Sequence, residues 1–335
     1  MKFSHCVDER VMPKDRSHPK KVLLSNPRGF CAGVDRAIEV VEMALELYDP
    51  PIYVRKQIVH NKHVIEVLSR KGAIFVDEID QVPEGAVVIF SAHGVAPDVI
   101  TKAGLKNLQV INATCPLVTK VHLEVRRFAR QGLSILLVGH EGHDEVVGTM
   151  GEAPGKIHLI RNEAEAESVQ VADPDRVAVT TQTTLSVDDA SSIIDILKRR
   201  FPKLVTPSSD DICYATQNRQ AAVKRIARKA DLVLVLGSDN SSNSERLCEV
   251  ARAAGTEAYL IDDASEIQPV WLERAEVVGI TAGASAPESL VQDLVADFKA
   301  IGVEEIEEVE VTTERVTFTL PSIGSCEPAK HSVET

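Results

Sequence analysis

Three times along this chain a cysteine opens an amphipathic helical pattern: CAGVDRAIEVVEMALEL from Cys31, CPLVTKVHLEVRRFARQG from Cys115 and CYATQNRQAAVKRIARKA from Cys213. Apolar residues recur in each at three- and four-residue spacing, the period of a helix with one buried face. A strand-like run follows each time: PIYVRKQIV, LSILLVG and DLVLVLG. Then come a polar loop, a helix, a second strand (AIFVDE, KIHLIRN, EAYLIDD), and a third strand ending in another polar loop (VVIFSAHGV, VAVTTQTT, VVGITAGASAP). Alternating strands and helices specify α/β units with parallel sheets, and ligands bind beyond the carboxyl ends of such strands. The expectation is three small α/β domains with a pseudo-threefold repeat around a central site. The units run over 21–114 (with Cys31), 115–211 (with Cys115) and 212–301 (with Cys213), flanked by a disordered extension, 1–20, and a C-terminal arm and tail, 302–335.

Composition narrows the class. The 335 residues are 44% hydrophobic and 26% charged, ordinary for a globular chain. No apolar run approaches the roughly 18–20 residues of a membrane span. The N-terminal MKFSHCVDERVMPKDRSHPKK has no apolar core of a secretory signal. A net charge of −13 disfavours a nucleic-acid partner but leaves room for a locally positive pocket. A cytoplasmic location, without membrane or nucleic-acid partners, is expected.

The chain has six cysteines and no CxxC pair. In a reducing compartment they are inert core residues, metal ligands or nucleophiles. Cys31, Cys115 and Cys213 each stand where a helix begins, and a thiolate there gains from the helix dipole. Three thiolates in equivalent repeat positions suit a 4Fe-4S cluster with one open iron. The ordinary alternative is three buried structural cysteines. Cys6 and Cys326 fall in the tails and Cys248 within a helix, so none of these is expected to be a ligand.

The polar loops carry the remaining candidates. His60, His93 and His143 stand at strand ends, where imidazoles supply donors to an anion or simply face solvent. Ser241, Ser242 and Asn243, followed by Ser285 in AGASAP, read as an anion cradle or as turns and N-caps. Glu145, two residues after His143, is either a proton donor or a surface acid favoured at a helix start. Thr183 and Thr184 in TQTTLS hydrogen-bond a ligand hydroxyl, or one of them caps the helix beginning near Ser186. The glycines of PRGFCAGV do not make a dinucleotide fingerprint, and no Walker loop is present.

Nine motifs, NPRGFCAGVDRAI, IVHN, FSAHGV, ATCPLVTKVH, GHEGHDEVVGTMGE, TQTTLS, DICYATQNRQ, GSDNSSNSERL and TAGASAPE, occur in the order of one family. Together they resemble the IspH (LytB) family of 4-hydroxy-3-methylbut-2-enyl diphosphate reductases, from about Val22 to Pro321. The resemblance implies a trefoil of three α/β domains around a 4Fe-4S cluster held by Cys31, Cys115 and Cys213. It implies a small allylic diphosphate substrate, bound by His60, His93, His143, Ser241, Ser242, Asn243 and Ser285. It further implies that Thr183 contacts the substrate hydroxyl and that Glu145, with His143, delivers a proton. The implied reaction is reductive dehydroxylation to isopentenyl and dimethylallyl diphosphate, last in the non-mevalonate (MEP) pathway. Electrons would come from a ferredoxin or flavodoxin.

Two other classes fit parts of the pattern. Three cysteines with His and Glu suit a zinc hydrolase, and the loops alone suit a non-enzymatic binder of a phosphorylated ligand.

Overall fold

The computed structural model describes residues 19–321. Most of the 1–20 extension, the tail beyond Pro321, Cys6 and Cys326 lie outside them. The first part of the chain runs β1 (Lys21–Asn26), α1 (Ala32–Leu47), β2 (Ile52–Arg55), α2 (Lys62–Arg70), β3 (Ala73–Val76), β4 (Val87–Phe90), α3 (Pro97–Leu105) and β5 (Gln109–Asn112). Then come α4 (Pro116–Arg130), β6 (Ser134–Val138), α5 (Asp144–Met150), β7 (Ile157–Ile160), α6 (Glu163–Ser168), β8 (Val177–Thr181) and α7 (Val187–Arg200). The last part holds α8 (Tyr214–Ala227), β9 (Leu232–Leu236), α9 (Ser242–Ala253), β10 (Glu257–Ile261), α10 (Pro269–Leu272), β11 (Val277–Ala282), α11 (Glu288–Ala300) and β12 (Glu305–Glu310).

Three sheets result, ordered β3-β2-β4-β5, β7-β6-β8 and β10-β9-β11-β1-β12. Every strand pair is parallel. The central strands are apolar throughout because helices cover both faces: VVIF of β4 and LVLVL of β9 are buried at every position. The molecule is therefore an α/β trefoil of three parallel-sheet units.

The sheets correct one boundary. By chain position β1 belongs to the first unit, 21–114, but it pairs with β11 and β12 in the third sheet. The cause is apolar on both faces: Leu23 packs in one core cluster with Val223 and Val233, while Val22 and Leu24 pack in another with Val278 and Ile280. Such a strand belongs inside a sheet covered on both faces, which the third sheet provides. The same exchange recurs. The strand before each cysteine helix belongs to the preceding unit's sheet: β5 lies beside β4, and Val205 bridges Ala178 of β8. The helix after each cysteine packs on its own unit's sheet: Val40 and Val41 of α1 against Val54 of β2, and Val125 and Phe128 of α4 against Ile135 of β6. Each cysteine thus sits where the chain crosses from one unit to the next.

The segment from 302, expected as an arm, contributes edge strand β12 and then runs extended across two units. Arg219 of α8, with a fully buried side chain, donates to Gly29 O (2.7 Å) and Phe30 O (3.1 Å) and pairs with Glu314 Oε1 (3.0 Å) on this arm. Farther along, Arg36 Nε donates to Thr319 O at 2.8 Å, and Leu320 packs on the first unit's core. No helix among the described residues is long and apolar enough to cross a membrane.

Removing one partner of a buried charge network leaves the others desolvated and unpaired. Arg219→Leu is expected to lower unfolding free energy by about 3–5 kcal/mol, measured by urea titration under anaerobic conditions. Glu314→Gln should cost less, since an amide still accepts a hydrogen bond and Glu314 retains some solvent.

Candidate active site

The repeat is resolved to single hydrogen bonds. Cys31, Cys115 and Cys213 are the N-cap residues of α1, α4 and α8. Their backbone N–H groups donate to Ala284 O (3.2 Å), Ala92 O (3.0 Å) and Thr183 O (3.0 Å). Each acceptor lies two residues past the end of its strand, β11, β4 or β8, in the neighbouring unit. The cysteines are thereby tied to the loops that carry Ser285, His93 and Thr183.

The sulfurs face one another. A Cβ on Gly33 would lie 2.7 Å from Cys115 Sγ and 3.8 Å from Cys31 Sγ, so only glycine leaves this space open. Burial raises the Cys31 thiol, against the Arg219 guanidinium and the Val34 and Gly33 N–H groups. Burial likewise pushes Cys115 up to about 12 and Cys213 up to about 11, and negative charge on either of the other two sulfurs adds to the Cys115 shift. Three desolvated thiols that repel one another as thiolates require a shared cation to ionise together. The spacing selects among metals. Among the described residues, the group of three ligand-type side chains whose ligand atoms all fall within 4.8 Å is His60, His93 and Asp144; the three sulfurs do not all lie that close to one another. One tetrahedral zinc, with bonds of about 2.3 Å, would hold its sulfurs about 3.8 Å apart. The donor set fits a wider cluster and argues against the zinc-hydrolase reading. Cys248 is buried in the third unit's core with Leu247 and Val250.

Beside the sulfurs stand the three imidazoles. His60 and His93 stack with centroids 4.0 Å apart, and His143 meets them edge-on at 5.4 and 5.9 Å. Burial lowers the His60 pKa against the opposing pull of Asp144. Burial, then the charges of His60 and His143, hold His93 well below its ordinary value, and burial takes His143 down to about 3. All three are neutral near pH 7. His143 also caps α5, its Nδ1 accepting from the Glu145 N–H at 3.2 Å. A cleft of about 380 Å³ opens beside His60, lined by Lys56, Gln57, Phe75, Asp77, Asp144 and Asn240.

The hydroxyl groups form a connected set. Ser241 caps α9, accepting from the Ser244 N–H, and lies 3.4 Å from Ser285 Oγ. Ser285 donates to His60 O at 2.8 Å, which joins the third unit to the first. Asn243 accepts from the Ala284 N–H at 2.8 Å and donates to Thr216 Oγ1 at 3.2 Å; Thr216 in turn contacts Cys213 Sγ at 3.2 Å. Ser242 joins Thr184 at 3.1 Å and Gln182 at 3.3 Å.

Glu145, only 2% exposed, is gripped by one residue. The Thr183 N–H donates to Oε1 at 2.7 Å and the Thr183 hydroxyl to Oε2 at 2.8 Å. Burial outweighs both bonds and pushes the carboxyl up to about 7. Of the two caps considered for α7, neither Thr183 nor Thr184 serves; Ser186 itself caps it, accepting from the Asp189 N–H.

Several supporting residues escaped the sequence reading. Gln182 accepts from the His140 N–H at 3.0 Å while its amide donates to Thr184 at 2.8 Å. Asp211 accepts from the Thr180 hydroxyl (2.8 Å) and Thr181 N–H (3.1 Å) and pairs with Lys120. His122 of α4 pairs with Glu152 at 2.8 Å and lies against Gly94 and Gly148. These three occupy no shared position of the repeat, although the loop helices themselves align. Aligning the N-caps of α2, α5 and α9 matches Asn61, His143 and Ser241, and two residues on, His63, Glu145 and Asn243.

Residues 22–299 match the family model described as LytB protein. The 4-hydroxy-3-methylbut-2-enyl diphosphate reductase of Acidothermus cellulolyticus is 61% identical over 303 residues, 90% of this chain and 89% of that one. The solved E-1-hydroxy-2-methyl-but-2-enyl-4-diphosphate reductase of Plasmodium falciparum superposes with a TM-score of 0.86 at 38% identity, covering 90% of this chain and 96% of that one. A second solved structure, of an (E)-4-hydroxy-3-methyl-but-2-enyl diphosphate reductase described as the terminal enzyme of the non-mevalonate pathway, gives 0.59 at 29% identity, covering 84% and 99%. The chain belongs to the LytB family of 4-hydroxy-3-methylbut-2-enyl diphosphate reductases.

Proposed function

We propose that this enzyme carries out the reductive dehydroxylation of 4-hydroxy-3-methylbut-2-enyl diphosphate to isopentenyl and dimethylallyl diphosphate, the last step of the non-mevalonate pathway. The observation that carries the residue-level reading is the meeting of three cysteine N-caps, one from each unit, with the loops holding His93, Thr183 and Ser285. The overall change takes up two electrons and two protons and releases water.

Cys31, Cys115 and Cys213 are assigned as ligands of a 4Fe-4S cluster with one iron left open. When bound, that group supplies electrons and Lewis acidity toward the substrate's terminal oxygen. The rest is done by the protein's own side chains. Ser241, Ser242, Asn243 and Ser285 offer hydroxyl and amide donors to the diphosphate, and His60 and His93 offer ring N–H groups. Because the imidazoles are neutral when the seat is empty, the arriving anion favours their protonated form, so binding takes up protons. Thr183 keeps the Glu145 carboxyl aimed, and its hydroxyl is the assigned contact to the substrate oxygen. Glu145, titrating near neutrality, holds a transferable proton at working pH and delivers it to the departing hydroxyl oxygen. His143, fixed by its cap bond, completes this proton network and the diphosphate seat. Burial excludes the water that would compete for both protons and electrons.

No nicotinamide or flavin motif accompanies the site, so electrons are assigned to an external ferredoxin or flavodoxin. Free thiols among the described residues suit a reducing, cytoplasmic setting.

Anaerobic protein is expected to contain four irons and four acid-labile sulfides per chain, brown in colour. Cys115→Ser should lose this content while Cys248→Ser keeps it; zinc in place of iron, or iron loss in Cys248→Ser, would refute the ligand set. Glu145→Gln should retain iron and bind substrate while turnover falls about 10²–10⁴-fold, a split read from steady-state kinetics beside equilibrium binding. Thr183→Val removes a bond that favours the Glu145 carboxylate. The infrared band of the protonated carboxyl should therefore persist to higher pH than in the parent, and a titration moved to lower pH would contradict the assignment.

A further inference from the structure

We propose that His60, His93 and Asp144 form a reversible site for a divalent cation of the zinc class, occupied only when the diphosphate is absent. The ligand atoms of these three residues all lie within 4.8 Å of one another. His60 Nε2 is 4.0 Å from Asp144 Oδ2. Zinc bonds of about 2.0–2.2 Å to nitrogen and oxygen are reached from there by small side-chain rotations, with a fourth position left for water.

The neighbours orient the ligands. Gln57 Oε1 accepts from Asn240 Nδ2 at 2.8 Å, so it acts as an acceptor toward His60 Nδ1 at 3.4 Å as well. That places the His60 proton on Nδ1 and leaves a lone pair on Nε2, the arrangement of a metal-binding histidine with an outer hydrogen bond. His93 Nδ1 lies 3.3 Å from Ser91 Oγ, a hydroxyl that accepts the Nδ1 proton when Nε2 takes a metal. His143 is different. Its Nδ1 accepts from the Glu145 N–H, so its proton sits on Nε2 and it offers no inward lone pair. The low proton affinity of buried His60 and His93 further favours a metal over a proton at neutral pH.

Asp144 is what makes the site. As the first residue of α5 its acidity suits the helix dipole. It nevertheless faces His60 across the cleft rather than open solvent, its side chain only 25% exposed. A carboxylate there opposes a diphosphate but completes an N, N, O donor set for a cation. Diphosphate and cation draw on the same two ring nitrogens, which makes their binding exclusive.

The test uses anaerobic holoenzyme with free zinc held by a metal buffer, and iron and sulfide monitored throughout. Equilibrium dialysis should find a zinc site that weakens at least about tenfold in Asp144→Asn and disappears in His93→Gln. In steady state zinc should raise the substrate KM with kcat unchanged, reversed by chelator. Equal zinc binding by parent and Asp144→Asn overturns the proposal, as does inhibition that lowers kcat or tracks iron release. The dialysis arm needs no turnover, so it stands or falls separately from the catalytic assignment.

Discussion

The N–H of each cysteine donates to a carbonyl two residues beyond a strand of the neighbouring unit, and the site depends on those three bonds. One such bond is worth about 0.5–1.5 kcal/mol net. Its importance is geometric. It sets the start of a helix, hence the thiol, against the loop that carries Ser285, His93 or Thr183. Because each lead-in strand belongs to the preceding sheet while the following helix packs on the next, sliding one unit would disturb both a sheet edge and a cysteine. β1 closes this exchange by returning the N-terminal strand to the last sheet.

Desolvation is the second theme, and it acts in opposite directions on acids and bases. Glu145 is raised and the three histidines lowered by the same dry environment, so a carboxylic acid and neutral imidazoles coexist near pH 7. The two Thr183 hydrogen bonds oppose the rise at Glu145 without cancelling it. Asp211, equally part of this second unit, has its carboxyl raised by burial although Thr180 and Lys120 pull it down. The polar interior is thus bonded closely enough to be specific and buried enough to bring the Glu145 proton affinity near neutrality.

Local pattern and long-range pairing contributed unequally to what could be read beforehand. The helices after Cys31, Cys115 and Cys213, and the strand runs LSILLVG and DLVLVLG, follow from periodicity that depends on neighbours a few residues away. The stacked His60–His93 pair and the bond from Ser285 to His60 O join residues from different units, and only their equivalent loop positions hinted at it. Arg219 was unmarked because a buried arginine in a helix of ordinary composition resembles an exposed one until its carbonyl partners at Gly29 and Phe30 are known.

The amino-acid order by itself determined the repeated α/β grammar and the three cysteines at helix starts, which are written in local spacing, and the family, which is carried by the resemblance of its motifs. Tertiary structure decided which sheet β1 completes, how far apart the sulfurs stand, and that Asp144 looks toward His60. Those outcomes depend on packing between segments distant in sequence, where burial and hydrogen-bond satisfaction are judged over the whole molecule rather than residue by residue.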